Sequence, residues 1–295
     1  INDNIEAIAQ GNYNRGTSLY TTTNRFSIQK FDIGFGKLEI KGPDFFVRTW
    51  AVMENAGDSY DLGGAALRLN EAWKPSEVWY EDYIGNFAQS VLLGSDVDDA
   101  HKFARLIADN RDEFGNVVND SKPAFPLPGT DQFNTLFQDI ISNPVTEGGA
   151  VVTDQSKLWH TEGMYNLSNK IKVVDLVVGA SYRQYWIDSK GTVFADEPGK
   201  PITFYIFGAY AQVAKAFWNE RFKASMSARY DKHENFDGEF TPRFSMTYSL
   251  DPEKEHNIRA SYQTAFRFPS TADQWTDFDI GYYRAIGGLP EMHEK

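Results

Sequence analysis

Between Trp218 and Asp231 apolar or aromatic residues recur at every second position: Trp218, Phe222, Ala224, Met226, Ala228 and Tyr230, interrupted only by Glu220. The positions between them are Asn219, Arg221, Lys223, Ser225, Ser227, Arg229 and Asp231. A period of two denotes a strand with two unlike faces. Phe240, Pro242, Phe244, Met246, Tyr248 and Leu250 repeat the pattern, against Glu239, Thr241, Arg243, Ser245, Thr247 and Ser249. After the polar turn Asp251-Pro252-Glu253-Lys254, the apolar face continues through Ile258, Ala260, Tyr262, Thr264, Phe266 and Phe268. Opposite it lie Asn257, Arg259, Ser261, Gln263, Ala265 and Arg267. These runs exceed the roughly five or six residues of an ordinary soluble strand. Their apolar face carries aromatics at its ends and small or aliphatic residues between, the order expected where Trp and Tyr sit at the headgroup level of a bilayer.

Upstream, Trp159–Ser168, Val173–Asp188 and Pro201–Ala214 read as further strands. The N-terminal part adds four with weaker alternation: Ile5–Tyr13, Phe26–Ile33, Lys37–Lys41 and Phe45–Glu54. Short connections at 215–219 and 249–255 alternate with longer ones at 189–201 and 231–238, as in an outer-membrane barrel. Within 57–154 the period becomes helical. Ser76 is expected to cap a helix to Leu93, Ser95 a second with a stripe of Val97, Ala100, Phe103, Ala104 and Ile107, and Thr130 a third through Phe133, Leu136, Phe137, Ile140 and Ile141. The predicted fold is all-β: an antiparallel transmembrane β-barrel, partial at about ten strands, with a helix-bearing extracellular loop. Residues 1–56 and 155–295 supply the strands, and 57–154 the insert. Both ends read as cuts, with the barrel continuing beyond them.

Composition narrows the function. Against 29 Lys+Arg stand 41 Asp+Glu, which speaks against a nucleic-acid binder. With no cysteine there is neither a disulfide framework nor a thiol nucleophile. Aromatics reach 15%, which a pair of interfacial girdles would use. No apolar run of about 20 residues marks a membrane helix, and a barrel needs none.

The stretch His256–Ser270, with Phe266-Arg267-Phe268-Pro269 and then Asp273-Gln274, resembles a strand of TonB-dependent receptors of the Bacteroidota type. Similar stretches are Tyr210-Ala211-Gln212, Arg229-Tyr230-Asp231 with Phe240–Phe244, Tyr20–Asn24 through Gly57–Gly63 and Leu67–Trp73, and Ala104–Asp109 with Pro128-Gly129-Thr130. The resemblance implies a barrel of about 22 strands, filled by a plug and taking up a large scarce nutrient such as a glycan, peptide or metal chelate. Its partners would be outer-membrane lipid, the plug domain of the full-length chain and the inner-membrane TonB complex. Some relatives also dock a surface lipoprotein as a lid. Neither plug nor TonB box is found in this sequence.

Chemistry is sparse. Asp96, Asp98, Asp99 and His101 lack the glycine and distal glutamate of a calcium loop, and acidic residues in a first helical turn offset the helix dipole. The five histidines show no zinc-hydrolase spacing, and no Gly-x-Ser-x-Gly elbow or phosphate loop is present. No catalytic residue, metal site or cofactor is predicted. Arg221, Lys223, Arg229, Arg243, Arg259 and Arg267 share the polar face, where they would form a basic wall toward plug or substrate, or a hydrated charge ladder. Trp73, Trp79, Tyr80 and Tyr83 could stack on a ligand in the loop or simply pack it. The alternatives to import are a non-transporting barrel for adhesion or envelope assembly and an enzyme at the barrel rim.

Overall fold

The structure, a computed structural model, describes residues 4–21, 24–279, 281 and 283–294. Its elements are β1 (Glu6–Thr21), β2 (Arg25–Lys41), β3 (Phe45–Asn55), β4 (Tyr60–Asp61), α1 (Leu62–Trp73), α2 (Ser76–Leu92), α3 (Val97–Asp109) and α4 (Asp131–Ile140). They continue with β5 (Lys157–Asn166), β6 (Asp175–Ile187), β7 (Ile202–Phe217), β8 (Phe222–His233), β9 (Glu239–Ser249), β10 (Asn257–Gln263), α5 (Thr271–Trp275), β11 (Asp277–Asp279) and β12 (Arg284–Ile286). The long strands form one antiparallel meander in the order β1-β2-β3-β5-β6-β7-β8-β9-β10, and β4 pairs with β2 to complete a ten-stranded sheet. The sheet is open between β1 and β10, as in part of a barrel.

Register sorts the two faces. The rows Val213–Met226–Phe244–Tyr262 and Phe217–Phe222–Tyr248–Ile258 place apolar side chains on one side of β7 to β10. The same outward side continues through Leu176, Val178 and Ala180 of β6, then Leu38 and Ile40 of β2. Met226, Phe244 and Tyr262 remain about half exposed, although they are large and apolar. An apolar face with nothing packed on it requires lipid rather than water.

Several boundaries differ from expectation. Phe26–Ile33 and Lys37–Lys41 are one strand, because β1 and β3 pair continuously with β2 through Gly34 and Gly36. Trp218 belongs to the turn before β8, where it, Asn219 and Glu220 all take left-handed backbone angles. β10 ends at Gln263, so Phe266 and Phe268 leave the lipid-facing pattern. Phe268 instead packs against His233 and Phe236.

Helices α1 to α4 lie between β3 and β5. Sequence reading missed α1, which Asp61 caps by accepting from the Gly63 and Gly64 amides. α1 and α4 share a core of Ala65, Leu69, Ile140 and Ala150, with Phe133 and Phe137 packed against it. α2 starts after Pro75 with no side-chain cap, so Ser76 is its first residue and not its cap. Asp96, not Ser95, caps α3. Thr130 caps α4, as expected. In α3 the buried stripe is Ala100, Ala104 and Ala108, whereas Val97 and Phe103 are about half exposed. Alanines at four-residue spacing allow close approach, and the larger side chains are left at the margin.

Candidate functional site

The inward face of the sheet carries charge of both signs. Lys37 pairs with Glu39 at 2.8 Å, Lys41 with Glu6 at 3.0 Å, and Arg48 with Glu162 on the neighbouring strand. Toward the loop-bearing end, Arg229 grips Asp231 through two hydrogen bonds of 2.6 Å. Gly208 makes room for that pair, because a Cβ there would overlap both the guanidinium and the carboxylate. Gly179 gives similar space to the ring of Tyr210.

Arg229 and Asp231 border a cavity of about 520 Å³. Arg183, Arg229 and Arg267 reach it, together with His160, Tyr185 and His233. Arg183 donates to Nδ1 of His160 at 3.1 Å and makes no ion pair among the described residues. The chain after β10 folds back over this cavity. Ser270 and Asp273 form a capping box that starts α5, and the buried Gln274 of that helix donates to the Pro269 carbonyl at 2.8 Å. Asn235 donates in turn to the Gln274 side chain at 3.2 Å.

The six predicted cations do not form one wall. Arg229 and Arg267 meet at the cavity, Arg267 lying 3.4 Å from Asp273 on the folded-back segment. Arg221 caps the opposite end by donating to the Ser249 and Leu250 carbonyls. Lys223, Arg243 and Arg259 occupy inward positions of β8, β9 and β10 without ion pairs among the described residues. Sequence reading did not single out Arg183, Asp231, His160 and Glu162. Their signal was an inward parity on strands paired to one another, which emerges only with the register.

The four predicted aromatics all border a second cavity, of about 710 Å³, in the helical insert. Trp79 and Tyr83, one turn apart on α2, stack with centroids 5.1 Å apart at 12°. Tyr80 meets Trp79 edge-on, and Trp73 meets Phe125 edge-on. Trp79 donates its indole N–H to Asp109 of α3 at 2.8 Å. Lys74 closes the base with bonds to Asp82 at 2.7 Å and to the Ala108 carbonyl at 2.8 Å. Its ammonium holds the Asp82 carboxyl below the usual carboxylate range. The walls thus combine ring faces with donors and acceptors, a composition that suits ligand pockets.

The profile of the family described as TonB dependent receptor-like, beta-barrel matches residues 2–292. The chain belongs to that family. No curated protein matches the chain. TonB-dependent receptors are outer-membrane transport proteins, and the open two-faced sheet is a portion of such a receptor's barrel.

Above the receptor sheet, loops join the insert to the strands. The Ser189 amide donates to Asp196 at 2.8 Å, and Thr192 donates to the Thr153 carbonyl at 3.1 Å. Val152 and Phe278 form a small core beneath Phe26 and Val193. Asp154 lies in this layer, where burial raises its carboxyl above the ordinary value of 3.8 and the nearby Asp196 and Asp188 add to the rise, against hydrogen bonds from Ser156. A carboxyl raised in the folded state binds more protons there than when unfolded. Its contribution to stability therefore falls as pH climbs from 3.8 through the raised value, and levels off above it. Protection factors of the 152–156 amides, with the intrinsic pH dependence of exchange divided out, are expected to rise toward acidic pH in the receptor, and Asp154→Asn should flatten that rise. An unchanged slope in the variant would assign the effect to another group.

Proposed function

We propose that the chain forms part of the wall of an outer-membrane import channel, working with a plug domain and the inner-membrane TonB complex to take up a large nutrient. The observation that carries this reading is the sorting of the sheet. Apart from Lys215 near one rim and Lys232 near the other, the outward face of β6 to β10 has no charged side chain, whereas the inward face holds ion pairs and the guanidinium-lined cavity. Charge placed inside and excluded outside is what a hydrated transport lumen in lipid requires. In this reading Arg183, Arg229 and Arg267 meet carboxylates of plug or substrate. The insert faces the cell exterior, because the opposite rim has the shorter turns, such as 42–44 and 218–221. Trp79 and Tyr83, with Trp73 and Tyr80, then make first contact with incoming ligand.

The test is growth on a panel of glycans, peptides and metal chelates as limiting nutrients. Deletion of the whole receptor gene is expected to abolish growth on one of them, and the full-length gene should restore it. A Trp79→Ala/Tyr83→Ala receptor should need about tenfold more nutrient for half-maximal growth, with the saturating rate unchanged. Growth of the deletion strain on every nutrient would sink the import reading. Binding of a surface partner lost on removal of the insert, with no nutrient phenotype, would move the assignment to adhesion.

A further inference from the structure

Lys215 breaks the outward face of β7. Its parity is that of Val213 and Phe217, so its ammonium emerges on the lipid side near the rim with the short turns. It lies over the ring of Phe217 at 5.4 Å and has no carboxylate partner among the described residues. The nearest acidic turn residue in sequence, Glu220, is engaged by Lys254 at 3.0 Å.

From Lys215 a trough of about 600 Å³ crosses the outer surface of β7 to β10. The register shows why it exists. The row Lys215–Ala224–Met246–Ala260 runs between Val213–Met226–Phe244–Tyr262 on one side and Phe217–Phe222–Tyr248–Ile258 on the other. Two alanines and one unbranched methionine are thus walled by larger side chains, several of them aromatic. At about 4.8 Å per strand, the three steps of the row span about 14 Å. The trough is apolar along its length and ends in one unpaired cation.

We propose that this trough binds a phospholipid, with an acyl chain along Ala224, Met246 and Ala260 and an anionic headgroup phosphate at Lys215. Charge complementarity selects the headgroup, and the aromatic rim sets its depth. Arg221, above Tyr248, and Lys170, above Tyr165, add positive charge at the same end. That end carries the short turns, which face the periplasm in barrels of this kind, so the lipid belongs to the inner leaflet. The proposal rests on the outward face meeting lipid and is independent of import.

The experiment uses the full-length receptor, delipidated in detergent and titrated with phosphatidylglycerol or phosphatidylcholine of matched acyl chains, bound lipid being counted by native mass spectrometry. Phosphatidylglycerol should be retained preferentially by the natural sequence. Lys215→Gln should lower its retention about fivefold and leave phosphatidylcholine unchanged, as expected for one cation near a headgroup. Ala224→Phe, which fills the trough, should lower retention of both lipids, and Ala260→Phe should do the same from the other end. Heat-shifted electrophoretic mobility verifies that each variant is a folded barrel. Equal retention of the two lipids by the natural sequence, or unchanged phosphatidylglycerol in Lys215→Gln, overturns the headgroup site. Unchanged retention of both lipids in the two phenylalanine variants overturns the trough. A receptor that excludes lipid altogether would contradict the outward assignment itself.

Discussion

An arginine at Ala211 is expected to destabilise the receptor by about 2–4 kcal/mol, whereas an arginine at Gln212 should cost far less. The two residues are adjacent in the middle of β7, but their side chains take opposite faces. Ala211 sits on the outward row between Val178 and Ala228, remote from both aromatic rims. A guanidinium there would have to be held within hydrocarbon or drag water to it. Gln212 lies between Val177 and Ser227 on the face that carries the lumen charges. Folding of the full-length receptor into lipid vesicles across a denaturant series would measure both. A larger loss at Gln212 than at Ala211 would invert the two faces and remove the basis for a lumen on the charged side.

The second large effect is expected at the lumen ion pair. Arg229→Met leaves the Asp231 carboxylate, whose side chain is only 9% exposed, without its two-pronged partner. Breaking a fully buried pair costs about 3–5 kcal/mol. Arg229 is itself 42% exposed, so solvent compensates part of the loss, and about 2 kcal/mol is expected. Arg229→Met/Asp231→Leu should recover most of this, because no orphaned charge remains. The same unfolding assay, run as a double-mutant cycle, reports the coupling. A double variant no more stable than Arg229→Met alone would show that Asp231 is satisfied by other groups.

Legibility in the sequence followed how local each cause is. The strands β8 and β9 were legible because lipid on one face and lumen on the other impose strict alternation, and alternation needs no knowledge of neighbours. Thr130 was legible as a cap because its partner, the Phe133 amide, lies three residues away. The helix after Asp61 was missed because Gly63 and Gly64 follow the cap and weaken the helical signal, although Leu62, Ala65 and Leu69 keep the period. Phe266 and Phe268 were misread as lipid-facing because their parity continues that of β10. In the structure they line the inward cavity, since the chain leaves the sheet after Gln263 to pack on His233.

By itself, the sequence determined the two-faced strands, the helical insert, the aromatic rims and the resemblance to the receptor family. Each of these is written in a short-range period or a contiguous stretch. Only the tertiary structure decided which charges meet. Arg48 finds Glu162 across β3 and β5, Arg229 and Arg267 converge from different segments, and the aromatics of α1 and α2 close around one cavity. The outward trough at Lys215 likewise depends on which residue of β7 stands beside Ala224 of β8. Strand register and the docking of loops on a rim join residues far apart in the chain, and a shift of one position would exchange the faces.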